Sequence, residues 1–160
     1  MSDKLIESAY EMLSTLTPLK HDCGKDCDKA CCVSDGSMLL FPYEYDLLKS
    51  KDYKFTKYNL EVLGEVWAMT CSGECDRELR PLSCRIFPLA PKITKGEIFL
   101  RLDARGRSVC PLTHKSILSL DKKFVDVVKK TLIMLSCDDK IAQYLTSISK
   151  LTDKYMEIIL

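Results

Sequence analysis

The sequence predicts a single small α+β domain with helices at both ends and a cysteine-rich middle that is irregular or β in structure. Two observations lead to this prediction. Apolar residues recur at helical spacing near the two termini, and the segment between them holds eight of the nine cysteines. At 160 residues the chain is long enough to bury one hydrophobic core. We therefore expect one domain over 1–160, with a metal-organised region at 20–115 and a helical segment at 121–160.

The first predicted element is a helix over residues 3–17, because apolar residues fall on one face there and Pro18 would end it. Its apolar face consists of Leu5, Ile6, Ala9, Tyr10, Leu13 and Leu16. The middle of the chain shows short apolar runs typical of strands at 37–41, 65–70 and 97–102, and Pro42 favours a helical turn through about residue 49. Further prolines interrupt the remainder.

The last forty residues predict two helices with separate apolar faces. The first face contains Phe124, Val127, Val128, Thr131 and Leu135, and the second contains Ile141, Tyr144, Leu145, Ile148 and Leu151. Asp138 and Asp139 stand between the faces, where a capping carboxylate is expected. Cys137 follows the first face, and we expect it to be a small core residue rather than a ligand.

Composition and charge exclude several classes of function. The formal net charge of +1 argues against a nucleic-acid partner or an anionic membrane surface held by long-range charge. No apolar run is long enough to span a bilayer, and the N-terminus lacks the apolar stretch of a signal peptide. We expect a cytoplasmic protein; a protein partner or protein substrate is left open.

The cysteines other than Cys137 form two groups of four. The spacing is Cys-x3-Cys-x3-Cys-Cys in the first group and Cys-x3-Cys-x8-Cys-x25-Cys in the second. Disulfides are rare in a reducing cytosol, whereas four thiolates complete a tetrahedral zinc site or hold one iron–sulfur cluster. We therefore predict that the metal ligands are Cys23, Cys27, Cys31, Cys32, Cys71, Cys75, Cys84 and Cys110.

The adjacent pair Cys31 and Cys32 indicates how the two groups combine. Because successive side chains point in different directions, the pair suits two neighbouring centres or one binuclear centre better than one mononuclear ion. We expect the two groups to interleave. The Cys110–Pro111 dipeptide is similar to the end of bacterial ferredoxin motifs. This slightly favours an iron–sulfur cluster, with Zn2+ as the alternative.

All six arginines fall in one window, between Arg77 and Arg107. Arginine is preferred to lysine where planar pairing through several donors is needed. These side chains could neutralise the thiolates, clamp a carboxylate or phosphate of a substrate, or lie on the surface. The candidates for cofactor binding are Arg80, Arg85, Arg101 and Arg105. His21 and His114 lie near cysteines and could complete a site, and no motif identifies catalytic residues.

These motifs resemble the YkgJ-like cysteine-cluster family, whose domain is described as zinc- or iron-chelating and carries a C-x2-C-x2-C-C motif. The resemblance covers about residues 20–115: the two cysteine groups, the segment RPLSCRIFP at 80–88, and Cys110–Pro111–Leu112. Spacing in the first group departs from the family, with three residues between cysteines instead of two. The region is also similar to the cysteine-rich part of flagellin lysine-N-methylases, although this chain is much shorter.

The resemblance implies metal binding without fixing the metal or an activity. We therefore expect a metal-binding cysteine-cluster protein that holds an iron–sulfur cluster or zinc through eight cysteines. One alternative is an iron–sulfur enzyme of redox or protein-lysine-methyltransferase type, which predicts a cavity lined by several arginines. Another is a zinc-stabilised protein-interaction module, which predicts an exposed apolar stripe within 141–160.

Overall fold

The structure, a computed structural model, describes residues 2–23, 37–71 and 76–159. The helices are α1 (Ser2–Leu13), α2 (Glu44–Leu48), α3 (Leu82–Ile86), α4 (Lys122–Leu135) and α5 (Asp139–Ile159). The strands are β1 (Ser37–Leu39), β2 (Lys54–Leu60), β3 (Gly64–Thr70), β4 (Leu89–Thr94) and β5 (Glu97–Leu102). Helices at both ends and small antiparallel sheets between them confirm the predicted α+β class.

Helix α1 ends at Leu13, before the predicted end at residue 17. Ser14 explains the early stop, because both its backbone N–H and its hydroxyl donate to the carbonyl of Glu11, at 3.3 and 2.9 Å. Serine side chains compete with helical hydrogen bonds in this way. The buried side chains of α1 are Ile6, Ala9 and Leu13, which lie on the predicted face.

Five strands form two antiparallel sheets in the middle of the described chain. β3 is central in the three-stranded sheet, where Ser37 of β1 and Lys54 of β2 both pair with Thr70. β4 and β5 form a two-stranded sheet, in which Pro91 pairs with Leu100. The predictions at 65–70 and 97–102 are confirmed by β3 and β5, and the run at 37–41 contains the shorter β1.

The two C-terminal helices are confirmed, together with one of the capping residues. The Asp138 carboxylate accepts a hydrogen bond from the Ile141 N–H at 3.0 Å. α5 packs on β4 and buries most of its predicted face, namely Ile141, Tyr144, Leu145 and Ile148. The stripe that an interaction module would expose is therefore largely covered. None of the described helices has the length and apolar character needed to cross a membrane.

Cys137 is not a core residue, so that prediction was wrong. α4 ends at Leu135, and Cys137 lies exposed in the turn between α4 and α5. The helical periodicity that predicted burial of the Cys137 side chain ends at Leu135, two residues earlier.

One large core cluster joins both ends of the chain to the middle. It includes Ile6 and Leu13 from α1, Leu82 and Ile86 from α3, and Phe124 from α4. A smaller cluster around Leu40, Leu48 and Met69 includes the partly buried Tyr45 and Trp67, whose rings stack at 3.9 Å. This smaller cluster fixes the three-stranded sheet to α2, and α3 contacts the sheet at β1.

Candidate metal centre and adjoining cavity

A cavity of about 690 Å³ lies where the three-stranded sheet, α3, the 103–109 loop and α5 meet. Cys71 and Cys84, two predicted ligands separated by thirteen positions, both line it. Cys71 directly follows β3, and Cys84 is the third residue of α3. The Ser83 hydroxyl donates to the Leu39 carbonyl, which ties α3 to β1 beside these two cysteines.

The other described members of the predicted set lie near the same structure. Cys110 is 7% exposed, and its backbone N–H donates to the carbonyl of Gly106, a cavity residue, at 2.8 Å. Cys23 is partly buried against the main core. Over 2–23, 37–71 and 76–159, no three His, Cys, Asp or Glu side chains converge as a metal site. Four predicted ligands lie outside the described residues: Cys27, Cys31, Cys32 and Cys75.

The segments 24–36 and 72–75, which carry those four cysteines, are attached to the fold at neighbouring points. At one end Ser37 pairs with Thr70 in the sheet. Near the other end the Arg77 guanidinium lies 3.5 Å from the Asp22 carboxylate. These two contacts therefore hold the residues that flank one segment beside the residues that flank the other. Cys71 lies next to the contact between Ser37 and Thr70. The interleaving of the two cysteine groups stays a prediction.

Two of the four candidate arginines, Arg80 and Arg105, line the cavity. Arg105 is held in a two-point pair by Asp103: Nε donates to Oδ1 at 3.0 Å and Nη2 donates to Oδ2 at 2.7 Å. Burial disfavours the charged form of Arg105, but the hydrogen bonds and charge of Asp103 outweigh it and raise the pKa of the guanidinium. Arg105 is thus a rigid, permanently charged donor in the cavity wall.

Arg85 instead organises the backbone around Cys84. Its guanidinium is largely buried, lies 4.3 Å from the centre of the Tyr10 ring, and donates to the carbonyls of Arg80 and Glu78 at 2.7 and 2.8 Å. Burial lowers the pKa of Arg85, and the charges of Tyr10 and Glu44 oppose that shift. Arg85 therefore fixes the backbone that leads into the helix of Cys84.

Arg101 belongs to the interface between α5 and the β4–β5 sheet. It donates to the Asp153 carboxylate at 2.6 Å and to the Ser149 carbonyl at 2.8 Å. Its buried Nε has no hydrogen-bond partner among the described residues. Neither Arg85 nor Arg101 is among the described residues that line the cavity.

Glu44 is a buried carboxylate that the sequence did not single out. Its Oε1 accepts from the Leu82 N–H at 2.6 Å and from the Tyr10 hydroxyl at 2.7 Å, and its Oε2 accepts from the Phe41 N–H at 2.7 Å. Burial raises the pKa of Glu44 to about 7, against these hydrogen bonds and the charge of Arg85. An acidic residue in a first helical turn normally faces solvent, so no sequence signal marked it.

The arrangement combines two cysteine side chains, a fixed guanidinium and a mostly apolar cavity. Cysteine sulfur is the soft donor that zinc and iron–sulfur clusters take, and such a cavity is suited to a small ligand. Comparison with protein-family models, with curated proteins and with solved structures found no match to this chain. The resemblance to the YkgJ-like family stays a prediction based on its motifs.

Proposed function

We propose that this chain is a cytoplasmic metalloprotein of the YkgJ-like type, in which the eight cysteines hold an iron–sulfur cluster or zinc. The observation that carries the proposal is the presence of Cys71 and Cys84 in one cavity wall. The pairing of Ser37 with Thr70 adds support, since it joins the segments that carry four more cysteines beside that wall.

The eight cysteine side chains fit a zinc ion or an iron–sulfur cluster. Thiolates are the ligands that zinc and iron–sulfur clusters prefer. Cys71 directly follows β3 and Cys84 lies within α3, so regular elements restrict the backbone at both of these cavity cysteines. Arg85, buried beside Cys84, supplies positive charge that favours a thiolate. When bound, zinc would crosslink the middle of the chain, whereas a cluster would add one-electron chemistry.

The cavity also supports an iron–sulfur enzyme as the second candidate. A closed structural site requires no adjoining space, but about 690 Å³ is within the range of ligand pockets. Two arginines in its wall agree with the lining that the enzyme alternative predicts. Burial of the α5 face, in contrast, removes the feature that favoured an interaction module.

Metal content tests the proposal directly. We expect protein purified without oxygen to contain either iron with acid-labile sulfide and a brown colour, or zinc without colour. Cys71→Ser and Cys84→Ser should each lower the metal content, and Cys137→Ser is the matched control because this cysteine lies in an exposed turn.

Two results would contradict the proposal. One is wild-type protein without stoichiometric metal after anaerobic purification. The other is an equal metal content in Cys84→Ser, Cys71→Ser and Cys137→Ser, which would mean that the cavity cysteines are not ligands.

A further inference from the structure

We propose that the cavity binds an elongated organic carboxylate with an apolar body, independently of which metal the cysteines hold. The walls are mixed in character. Apolar side chains such as Met38, Leu60, Phe87 and Leu151 line the cavity together with Arg80 and Arg105. A mostly apolar pocket with a few fixed polar groups is typical of a small-molecule site.

Arg105 provides the anion-binding group. Asp103 occupies the N–H donors on one edge of the guanidinium, through Nε and Nη2, so Arg105 keeps donors for a second acceptor. The pair with Asp103 also fixes the orientation of the planar fork before a ligand arrives, which lowers the entropic cost of binding. A carboxylate matches such a fork in charge and shape.

The charge of the wall favours a monoanion over a phosphate. Among the described lining residues, Asp103 pairs with Arg105, so an anion bound at the other edge of that guanidinium also lies near the Asp103 carboxylate. This carboxylate repels a dianionic phosphate more strongly than it repels a singly charged carboxylate.

The spread of the lining residues along one face of the sheet favours an elongated ligand. Leu60 and Ser37 line the cavity and pair with Gly64 and Thr70 of β3, which lie six residues apart on the same face. At about 3.3 Å per residue, these lining positions are spread over about 20 Å of the sheet. Tyr58 and Tyr155 also line the cavity and are 42% and 44% exposed, so its wall reaches the solvent at these two residues.

Calorimetric titration of the protein as purified, with decanoate, decyl phosphate and decanol as probes, tests the proposal. We expect saturable binding of decanoate, weaker binding of decyl phosphate and the weakest binding of decanol. Arg105→Gln should weaken decanoate by about tenfold or more while leaving decanol nearly unchanged, because a charge-assisted pair is lost. Arg107→Gln, an exposed neighbour outside the cavity lining, is the control.

Arg105→Gln removes the partner of the Asp103 carboxylate, so a second variant changes the cavity wall at Tyr155 and leaves that pair intact. Tyr155→Ala should weaken decanoate and decanol alike, whereas Ile158→Ala, 83% exposed on the same helix, should weaken neither. Metal content is measured for every variant, so loss of the metal centre is distinguished from loss of ligand binding. The proposal is overturned if decanoate does not saturate, if decanol or decyl phosphate binds as tightly, or if either variant matches its control.

Discussion

The Glu44 carboxylate joins α1, the segment that follows β1, and α3 at one buried point, since it accepts from Tyr10, Phe41 and Leu82. Because Leu82 is the first residue of α3, this carboxylate also positions the helix that carries Cys84. In Glu44→Gln, one amide N–H2 would have to face a backbone N–H, of Leu82 or of Phe41. We expect the free energy of unfolding to fall by about 1–3 kcal/mol.

Glu44 also predicts a dependence of stability on pH. Its pKa is about 7 in the folded chain against an ordinary value of 4.5, so the folded protein holds a proton that the unfolded chain releases. This contribution is complete below about pH 4.5 and is lost as the pH rises through 7, with an upper bound of about 3 kcal/mol. Urea unfolding between pH 5 and pH 8 should show the decline.

Glu44→Gln separates this effect from other titrating groups, including the cysteines, because glutamine does not ionise. The difference in unfolding free energy between wild type and variant should shrink as the pH rises from 5 to 8. A difference that stays constant over this range would show that Glu44 does not titrate as described.

Gly106 faces the cavity and has no room for a side chain. A Cβ at this position would lie 2.6 Å from Cε2 and Cζ of the Phe87 ring. We expect Gly106→Ala to lower thermal stability by about 1–3 kcal/mol through overpacking. In a Phe87→Leu background the same change should cost less, and additive effects in this double-mutant cycle would refute the clash.

At the scale of single residues, the sequence predicted side-chain types better than their surroundings. It singled out Cys71, Cys84 and Arg105, which line one cavity, because cysteine spacing and arginine clustering are visible along the chain. It did not single out Glu44, and its prediction for Cys137 was wrong, since burial depends on which segment packs over a side chain. That information is absent from local periodicity.

Among the elements, α5 depends on polar contacts as well as on its apolar face. The Asp153 carboxylate accepts from Lys92 at 2.8 Å and from Arg101 at 2.6 Å. These hydrogen bonds lower the pKa of Asp153 against partial burial, so its contribution is present above pH 3.8 and is lost as the pH falls through the lowered pKa.

Asp153→Asn should therefore destabilise the protein at neutral pH by about 0.5–1 kcal/mol, a modest value because the side chain is partly exposed. Glu61→Gln is the control, since Glu61 is 91% exposed and lies 3.8 Å from Lys154. Thermal unfolding at pH 7 and pH 3 measures both variants. Equal effects of the two substitutions at pH 7 would contradict a specific role for Asp153.

The long helices were predictable because each has one apolar face and a recognisable start or stop. β2 and β4 were not expected. β2 is mostly exposed and rich in lysine, and β4 contains Pro91, which an edge strand tolerates. Both strands form because β3 and β5 offer partners for backbone hydrogen bonds, which a local pattern does not reveal.

For the molecule as a whole, the large core predicts an uneven response to metal removal. α1, α4 and α5 contribute much of this core, whereas β1 and α3 adjoin the cysteine-bearing segments. After chelation, hydrogen exchange should accelerate at β1, Cys71 and α3, while much of the helical circular dichroism persists. Unchanged exchange in a protein shown to have lost its metal would refute this coupling.

The overall class was predictable from the chain, but the cavity was not. It forms between segments as distant as Ser37, Cys84 and Tyr155, and its volume depends on how α5 lies on β4. No pattern within a single segment encodes such a space.

The junctions at Ser37–Thr70 and Asp22–Arg77 bear on the thermodynamics of the proposed metal binding. Each junction holds an end of one cysteine-bearing segment beside an end of the other, so the chain loses less conformational entropy when cysteines from both segments converge on one centre. The coupling is reciprocal: a bound ion stabilises the strand pairing as much as the strand pairing favours the ion. Substitutions far from any sulfur that weaken the β1–β3 pairing should consequently increase the rate at which metal is lost.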